Sequence, residues 1–241
     1  MQKQVLGIKI DDVAMDEAIE IVLGWLKKRG PASPAKRGEK YYIVTPNPEI
    51  IMIAQGDEKF KNILNKADLS LPDGVGLKLT TDIVCHTPGI DFMEELINVS
   101  CDYGFTIGLL GGKDGVAKKA SECLRKKYPK LKISFAESGG EVDKNGNFIR
   151  TTNYQLPTAD LLFVAVGPPK QEKWIAQNLN NIPVKVAMGV GGAFDFLSGQ
   201  VPRAPKIIRN LGFEWLFRLM IQPWRIKRQL ALLKYLLLIL K

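Results

Sequence analysis

Asp73 stands in Leu71-Pro-Asp-Gly-Val-Gly-Leu77, a lone carboxylate on a corner shaped by one proline and two glycines. Proline fixes φ and glycine opens conformations closed to other residues, so the segment reads as a turn after a short strand end, Ala67–Leu71. A carboxylate there can act as general base towards a substrate hydroxyl. It can equally cap the helix that Val75 to Ile83 would start. Thr45-Pro-Asn-Pro-Glu49 forms a similar corner, with Thr45 and Asn47 where two prolines stop a strand. Gly108-Leu-Leu-Gly-Gly-Lys-Asp-Gly115, Gly167-Pro-Pro-Lys-Gln-Glu172 and Gly189-Val-Gly-Gly192 each end a strand pattern and lead into a helix. Backbone N–H groups at such turns, as at Gly111, Gly112 and Gly191, suit a diphosphate; tight packing explains such glycines as readily.

What is missing narrows the chemistry. Gly108-x-x-Gly111 lacks the dinucleotide spacing, no Gly-Lys-Ser/Thr loop occurs, and no Asp-x-Asp pair is present to hold a nucleotide diphosphate through Mg²⁺ or Mn²⁺. Neither a metal nor a cofactor is therefore expected. His86 is the single histidine and reads as an ordinary loop residue. Of the three cysteines, Cys101 and Cys123 fall in helical patterns and read as core, and with Cys85 they form no CxxC pair. Asp73 is left as the best-placed base. Asp91 reads as a helix-start residue and Asp195 as a cap.

These corners need a scaffold. Val5–Ile10 reads as a first strand, Met15–Arg29 as a helix ended by Gly30, and Pro31–Lys40 as a polar loop. Tyr41–Val44 is strand-like, and Ile50–Leu64 is helical with a break near Gly56. Strands at Phe105–Leu110, Leu131–Ala136, Leu161–Val166 and Val184–Val190 then alternate with helical patterns, Lys113–Tyr128 among them. This alternation predicts an α/β fold: a Rossmann-like, mostly parallel sheet covered by helices, occupying residues 1–199. Ligands in such folds sit at the carboxyl ends of the strands, where each candidate corner falls.

The net charge of +9 is concentrated at the end of the chain. Residues 200–241 hold nine basic residues against Glu214 alone, which leaves +1 for everything before them. Such a segment expects an anionic partner. Pro223 divides it into two helices, and the second, Trp224–Lys241, is too short to span a bilayer. At 100° per residue Lys227, Lys234 and Lys241 share one stripe, Arg225 and Arg228 another, with leucines between. That is the pattern of a helix lying in a lipid interface, leucines down and cations at the phosphates. A terminal helix packed on the domain is the plainer alternative. A nucleic-acid-binding or purely membrane-binding module would leave five polar strand-end motifs idle. Met1-Gln-Lys-Gln-Val-Leu-Gly7 lacks the long apolar stretch of a signal peptide, and with an odd cysteine count this leads us to expect a reducing cytoplasm.

The ordered set Thr45-Pro-Asn-Pro-Glu49, Pro72-Asp-Gly-Val-Gly76, Pro88-Gly-Ile-Asp91, Leu161-Leu-Phe-Val-Ala-Val-Gly-Pro-Pro-Lys-Gln-Glu172, Gly189-Val-Gly-Gly-Ala-Phe-Asp195, Arg203-Ala-Pro205 and Gly212-Phe-Glu-Trp-Leu-Phe-Arg218 resembles the WecG/TagA/CpsF glycosyltransferase family over essentially the whole chain. The resemblance implies an inverting, metal-independent glycosyltransferase, peripheral on the cytoplasmic face of the cell membrane. Its partners would be a UDP-sugar donor and an undecaprenyl-diphosphate-linked GlcNAc acceptor, with N-acetylmannosamine transferred as in teichoic acid linkage-unit synthesis. The same family acting with ManNAc uronic acid or a hexose is the alternative. Asp73 matches the acidic residue taken as general base, Thr45 and Asn47 the polar pair near the reacting centre, and Gln171 a polar residue facing the same pocket. Arg218, Arg225 and Arg228 match basic positions of a C-terminal appendage, here residues 200–241, that could pair with diphosphate. Undocking of that appendage would bare an apolar patch and favour self-association. One position departs: family members often carry an arginine shortly before Pro-Gly-x-Asp, where this chain has Cys85-His-Thr87. His86 or a tail arginine would then take that role.

Overall fold

The computed structural model describes residues 1–28, 40–113, 115–147 and 156–239, without the side chains of residues 210 and 227–229. The chain opens with a hairpin of β1 (Gln2–Val5) and β2 (Ile8–Asp11), where a single strand was expected. Leu6 and Gly7 both take positive φ, 49° and 76°, the turn geometry that matches the twist of paired strands. Helix α1 (Met15–Lys27) follows, and Gly30 and the polar loop at 31–39 lie outside the described residues.

The main sheet begins with β3 (Tyr41–Val44), then α2 (Pro48–Gln55), α3 (Glu58–Asn65) and the two-residue β4 (Leu69–Ser70). Gly56 and Asp57 separate the two helices: Gly56 caps the first, and the Asp57 carboxylate accepts the Phe60 N–H at 2.9 Å to start the second. Next come α4 (Val75–Thr80), α5 (Gly89–Tyr103), β5 (Thr106–Gly111), α6 (Val116–Lys127) and β6 (Lys132–Glu137). After a turn-rich stretch the chain continues through β7 (Ala159–Ala165), α7 (Lys170–Asn178) and β8 (Val184–Gly189). The six strands β3–β8 are all parallel, in the order β4-β3-β8-β7-β5-β6. The expected α/β class, a parallel sheet between helices, is what the chain forms.

The central strands are buried on both faces, and their side chains alternate between two cores. Ile43, Leu161, Phe163, Val186 and Met188 pack with α1, α5 and α6. Tyr42, Val44, Leu162, Val164 and Ala187 face the hairpin, α2, α3 and α7 on the other side.

The last segment runs through α8 (Ala193–Leu197), α9 (Lys206–Asn210), α10 (Glu214–Ile221), a 3₁₀ turn at Pro223–Arg225 and α11 (Ile226–Ile239). Pro223 separates the two longer helices as expected, since a proline is tolerated in a first turn but not in a helix interior. Helix α11 lies on α2. Tyr235 is 1% exposed within the second core, and its hydroxyl is 2.9 Å from the Thr80 hydroxyl on α4. The opposite side of α11 stays open, with Leu233 60% and Leu237 67% exposed and Lys234 beside them. The helix therefore packs on the domain and presents leucines outward at once. Among the described residues no helix is long and apolar enough to cross a membrane.

Candidate active site

A cavity of about 770 Å³ lies beyond the carboxyl ends of β4, β3 and β8. The chain leaves β3 towards β4 on one side of this crevice and leaves β8 towards the C-terminal helices on the other. Such divergence opens a ligand-sized space in a parallel sheet. Thr45, Asn47, Asp73, His86 and Asp91 line it from the body, and Arg209, Glu214, Arg218 and Arg225 from the C-terminal segment.

Three backbone bonds fix the loops that carry the body's residues. The Leu71 N–H donates to the Val44 carbonyl at 2.9 Å, and the Asp73 N–H to Pro46 at 3.0 Å. The Thr87 N–H closes the third, onto Pro72, at 2.9 Å. Pro46 after β3 and Pro72 after β4 thus each offer a carbonyl to the next loop, because a proline lacks a donor but keeps its acceptor. Asn47 accepts the Ile50 N–H at 3.0 Å and so caps α2 while it lines the cavity. Thr45 packs against Gly89, where a Cβ would come within 2.9 Å of its hydroxyl.

Asp73 is largely enclosed, and that burial pushes its carboxyl up to about 6. The Gly89 N–H donates to it and opposes the rise; the carboxylates of Glu214 and Asp91 reinforce it. Asp73 is thereby a stronger base than an exposed carboxylate, yet it is ionised at neutral pH. His86 lies at the cavity wall, where desolvation, aided by the Lys78 ammonium, keeps its pKa below the ordinary histidine value.

Arg218 stacks on Phe196, its guanidinium carbon 4.6 Å from the ring centroid, and presses on Gly192, where any Cβ would collide with it. Arg225 lines the same cavity, 3.5 Å from the Gln222 amide oxygen. The side chains of Arg228 and Lys227, and all of Lys241, lie outside the described residues.

The remaining expected residues sit elsewhere. Gln171 lies behind the cavity wall rather than in it, 3% exposed. Its amide oxygen accepts the N–H groups of Gly167 at 3.1 Å and Gly191 at 3.0 Å. Its amide nitrogen donates to Glu172 at 2.7 Å, and burial pushes that carboxyl up to about 7. Gln171 ties two strand-end loops together, and one of them carries Val190 and Gly192 into the cavity. Gly191 itself is engaged by Gln171, and Gly111 and Gly112 stand apart at the end of β5. A Cβ at Gly111 would come within 2.7 Å of the Ala165 backbone, so close packing alone requires glycine there.

Sequence reasoning passed over Arg209 and Glu214, which line the cavity, and Arg203, which pairs with its wall residues. One signal was available. Glu214 is the sole acid among nine bases, an isolated opposite charge in the last segment. Among the described residues there is no group of three or more His, Cys, Asp or Glu side chains suited to hold a metal ion.

A parallel sheet whose strand ends gather an enclosed carboxylate, a polar pair and several guanidinium groups has the make-up of a group-transfer site. The chain matches the sequence model of the glycosyl transferase WecG/TagA/CpsF family over residues 3–241, and it belongs to that family. Among its relatives is an N-acetylglucosaminyldiphosphoundecaprenol N-acetyl-beta-D-mannosaminyltransferase of Bacillus subtilis strain 168. The two are 35% identical over 84% of this chain and 83% of the relative. A protein of the same description from Staphylococcus aureus strain MRSA252 is 31% identical over 93% of this chain and 86% of its own length.

Proposed function

We propose that the chain transfers N-acetylmannosamine from its UDP form to N-acetylglucosaminyl-diphosphoundecaprenol, with inversion and without a metal, at the inner face of the cell membrane. The observation that carries this reading is the shared cavity. Asp73 enters it from the body and Arg218 and Arg225 from the C-terminal helices, in a chain whose relatives bear that activity in their names. Asp73 accepts the proton of the acceptor hydroxyl as its oxygen forms a bond to the donor's anomeric carbon. The bond from that carbon to the diphosphate oxygen breaks, its electron pair leaves with UDP, and one displacement inverts the centre. Arg218 and Arg225 are suited to neutralise the departing diphosphate, because a guanidinium binds phosphate oxygens in pairs. Thr45 and Asn47 border the reacting centre. Gln171 contributes by holding the loop of Val190 and Gly192.

The test is radiolabelled transfer with a panel of UDP-sugars and a short-chain lipid-diphosphate GlcNAc acceptor. UDP-N-acetylmannosamine is the expected donor; transfer only from another UDP-sugar would replace that part of the reading. EDTA should leave the rate within about twofold, since each arginine supplies charge that a metal otherwise brings. Loss on chelation with rescue by Mn²⁺ would overturn the metal-free mechanism.

The open leucine side of α11, with Trp224 71% exposed nearby, supports seating in the headgroup layer of an anionic membrane. Replacing Lys227, Lys234 and Lys241 together with glutamine should weaken binding to anionic vesicles steeply in low salt. Each cation contributes about 1 kcal/mol near such a surface. Transfer to a soluble acceptor should barely change, and equal losses in both assays would refute a separate anchoring role.

A further inference from the structure

Five charged side chains form a continuous ion network between α5 and the C-terminal segment. Arg203 Nη2 lies 2.6 Å from Asp91 Oδ1, and Arg209 Nη1 is 3.4 Å from the same oxygen. The Arg203 guanidinium also reaches Glu94 at 4.0 Å, and its Nε lies 3.5 Å from Glu214 Oε1. All five side chains are between 18% and 33% exposed, and Ala204 beside Arg203 is buried. Pairs this sheltered contribute little net stability, but removing one member strands a charge that water only partly reaches.

The network holds two cavity residues in place. Asp91 and Glu214 both line the cavity, and both are electrostatically felt by Asp73. We propose that Asp91, gripped by Arg203 and Arg209, is the clasp that seats the C-terminal helices over the cavity, and that Glu214, held by the same Arg203, is a positioning residue set beside Asp73. This inference rests on the glycosyl-transfer reading only for the role of Asp73 as base; the clasp stands on the ion network alone. Seating the helices does two things to Asp73 at once. It removes water from the carboxylate, and it brings a like charge near, and both make it a better proton acceptor. The charged and titratable groups that share its cavity are Glu49, His86, Asp91, Arg209, Glu214, Arg218, Arg225 and Tyr235.

The clasp is tested without turnover by thermolysin cleavage of residues 200–239 in the full chain. Asp91→Asn should raise the cleavage rate tenfold or more with the body still folded by melting. The pair Asp91→Asn with Arg203→Gln should be no worse than either alone, as coupled sites are not additive. Arg209→Gln is the milder second variant, expected at a few-fold. Unchanged cleavage in all of these, or effects that simply multiply, would overturn the clasp.

Glu214→Gln leaves the contacts of Asp91 with Arg203 and Arg209 intact and tests the second half. The acidic limb of its pH profile for kcat/KM should move down by about half a pH unit or more, with cleavage raised far less than by Asp91→Asn. A limb that stays where it was would refute the positioning role. A wild-type profile with no acidic limb at all would instead count against Asp73 as base and leave the clasp result standing.

Discussion

Asp73→Asn lowers turnover by about a hundredfold or more and leaves the fold intact, the loss expected when a general base is replaced by an isosteric amide. The amide oxygen can still accept a backbone N–H, so the turn survives and basicity alone is lost. Stability should move the other way. A carboxyl whose folded pKa is raised to about 6 holds its proton more tightly folded than unfolded. Its contribution is therefore favourable below the unfolded value and is lost as pH rises through about 6. At pH 7.5 the wild type holds an ionised, enclosed carboxylate, and the amide variant should melt higher. Kinetics give the matching sign. Wild-type kcat/KM should fall about tenfold per pH unit below 6, as the base becomes protonated, and the variant should lose that limb. A folded variant with near-normal turnover would reduce Asp73 to a turn residue.

Truncation after Gly199 should abolish vesicle binding and depress transfer to a soluble, short-chain acceptor by well over tenfold. Arg209, Glu214, Arg218 and Arg225 leave the cavity wall together. An oxyanion-type charge stabiliser alone contributes about a hundredfold, so losing two guanidiniums cannot be silent if they serve the diphosphate. The body keeps its whole sheet and should stay folded. The seat of Tyr235 on α2 and α4 becomes an apolar hollow, however, and the truncated chain should self-associate in sedimentation. Transfer to the soluble acceptor at the full rate would make the segment an anchor alone.

Much of the fold was legible because its signals are local. Two-sided apolar runs such as Leu161–Ala165 and the alternation of strand with helix declare a parallel sheet. The prolines of 45–49 and the Pro-Asp-Gly of 72–74 declare its corners. The opening hairpin was missed because its turn is Leu6-Gly7, and a leucine with positive φ gives no turn signal. Asp73 stood out through the rigidity of its neighbours. Gln171 was expected to face the pocket from the motif it matches; its amide oxygen instead meets the Gly191 N–H of another loop, a partner that local sequence does not name. The Arg203–Asp91 pair was equally hidden. Local periodicity carries no record of which helix a distant guanidinium will meet.

The seat of α11 has a further consequence. It rests on α2, whose first turn is capped by Asn47, and through Tyr235 it touches α4, which begins just after Asp73. One helix therefore splints the two short helices that grow out of the Thr45–Asn47 and Asp73 corners. With α11 packed in this way their loops have less conformational freedom left to lose in the transition state. Loosening α11 should accordingly appear in kcat, with the KM of the donor little altered.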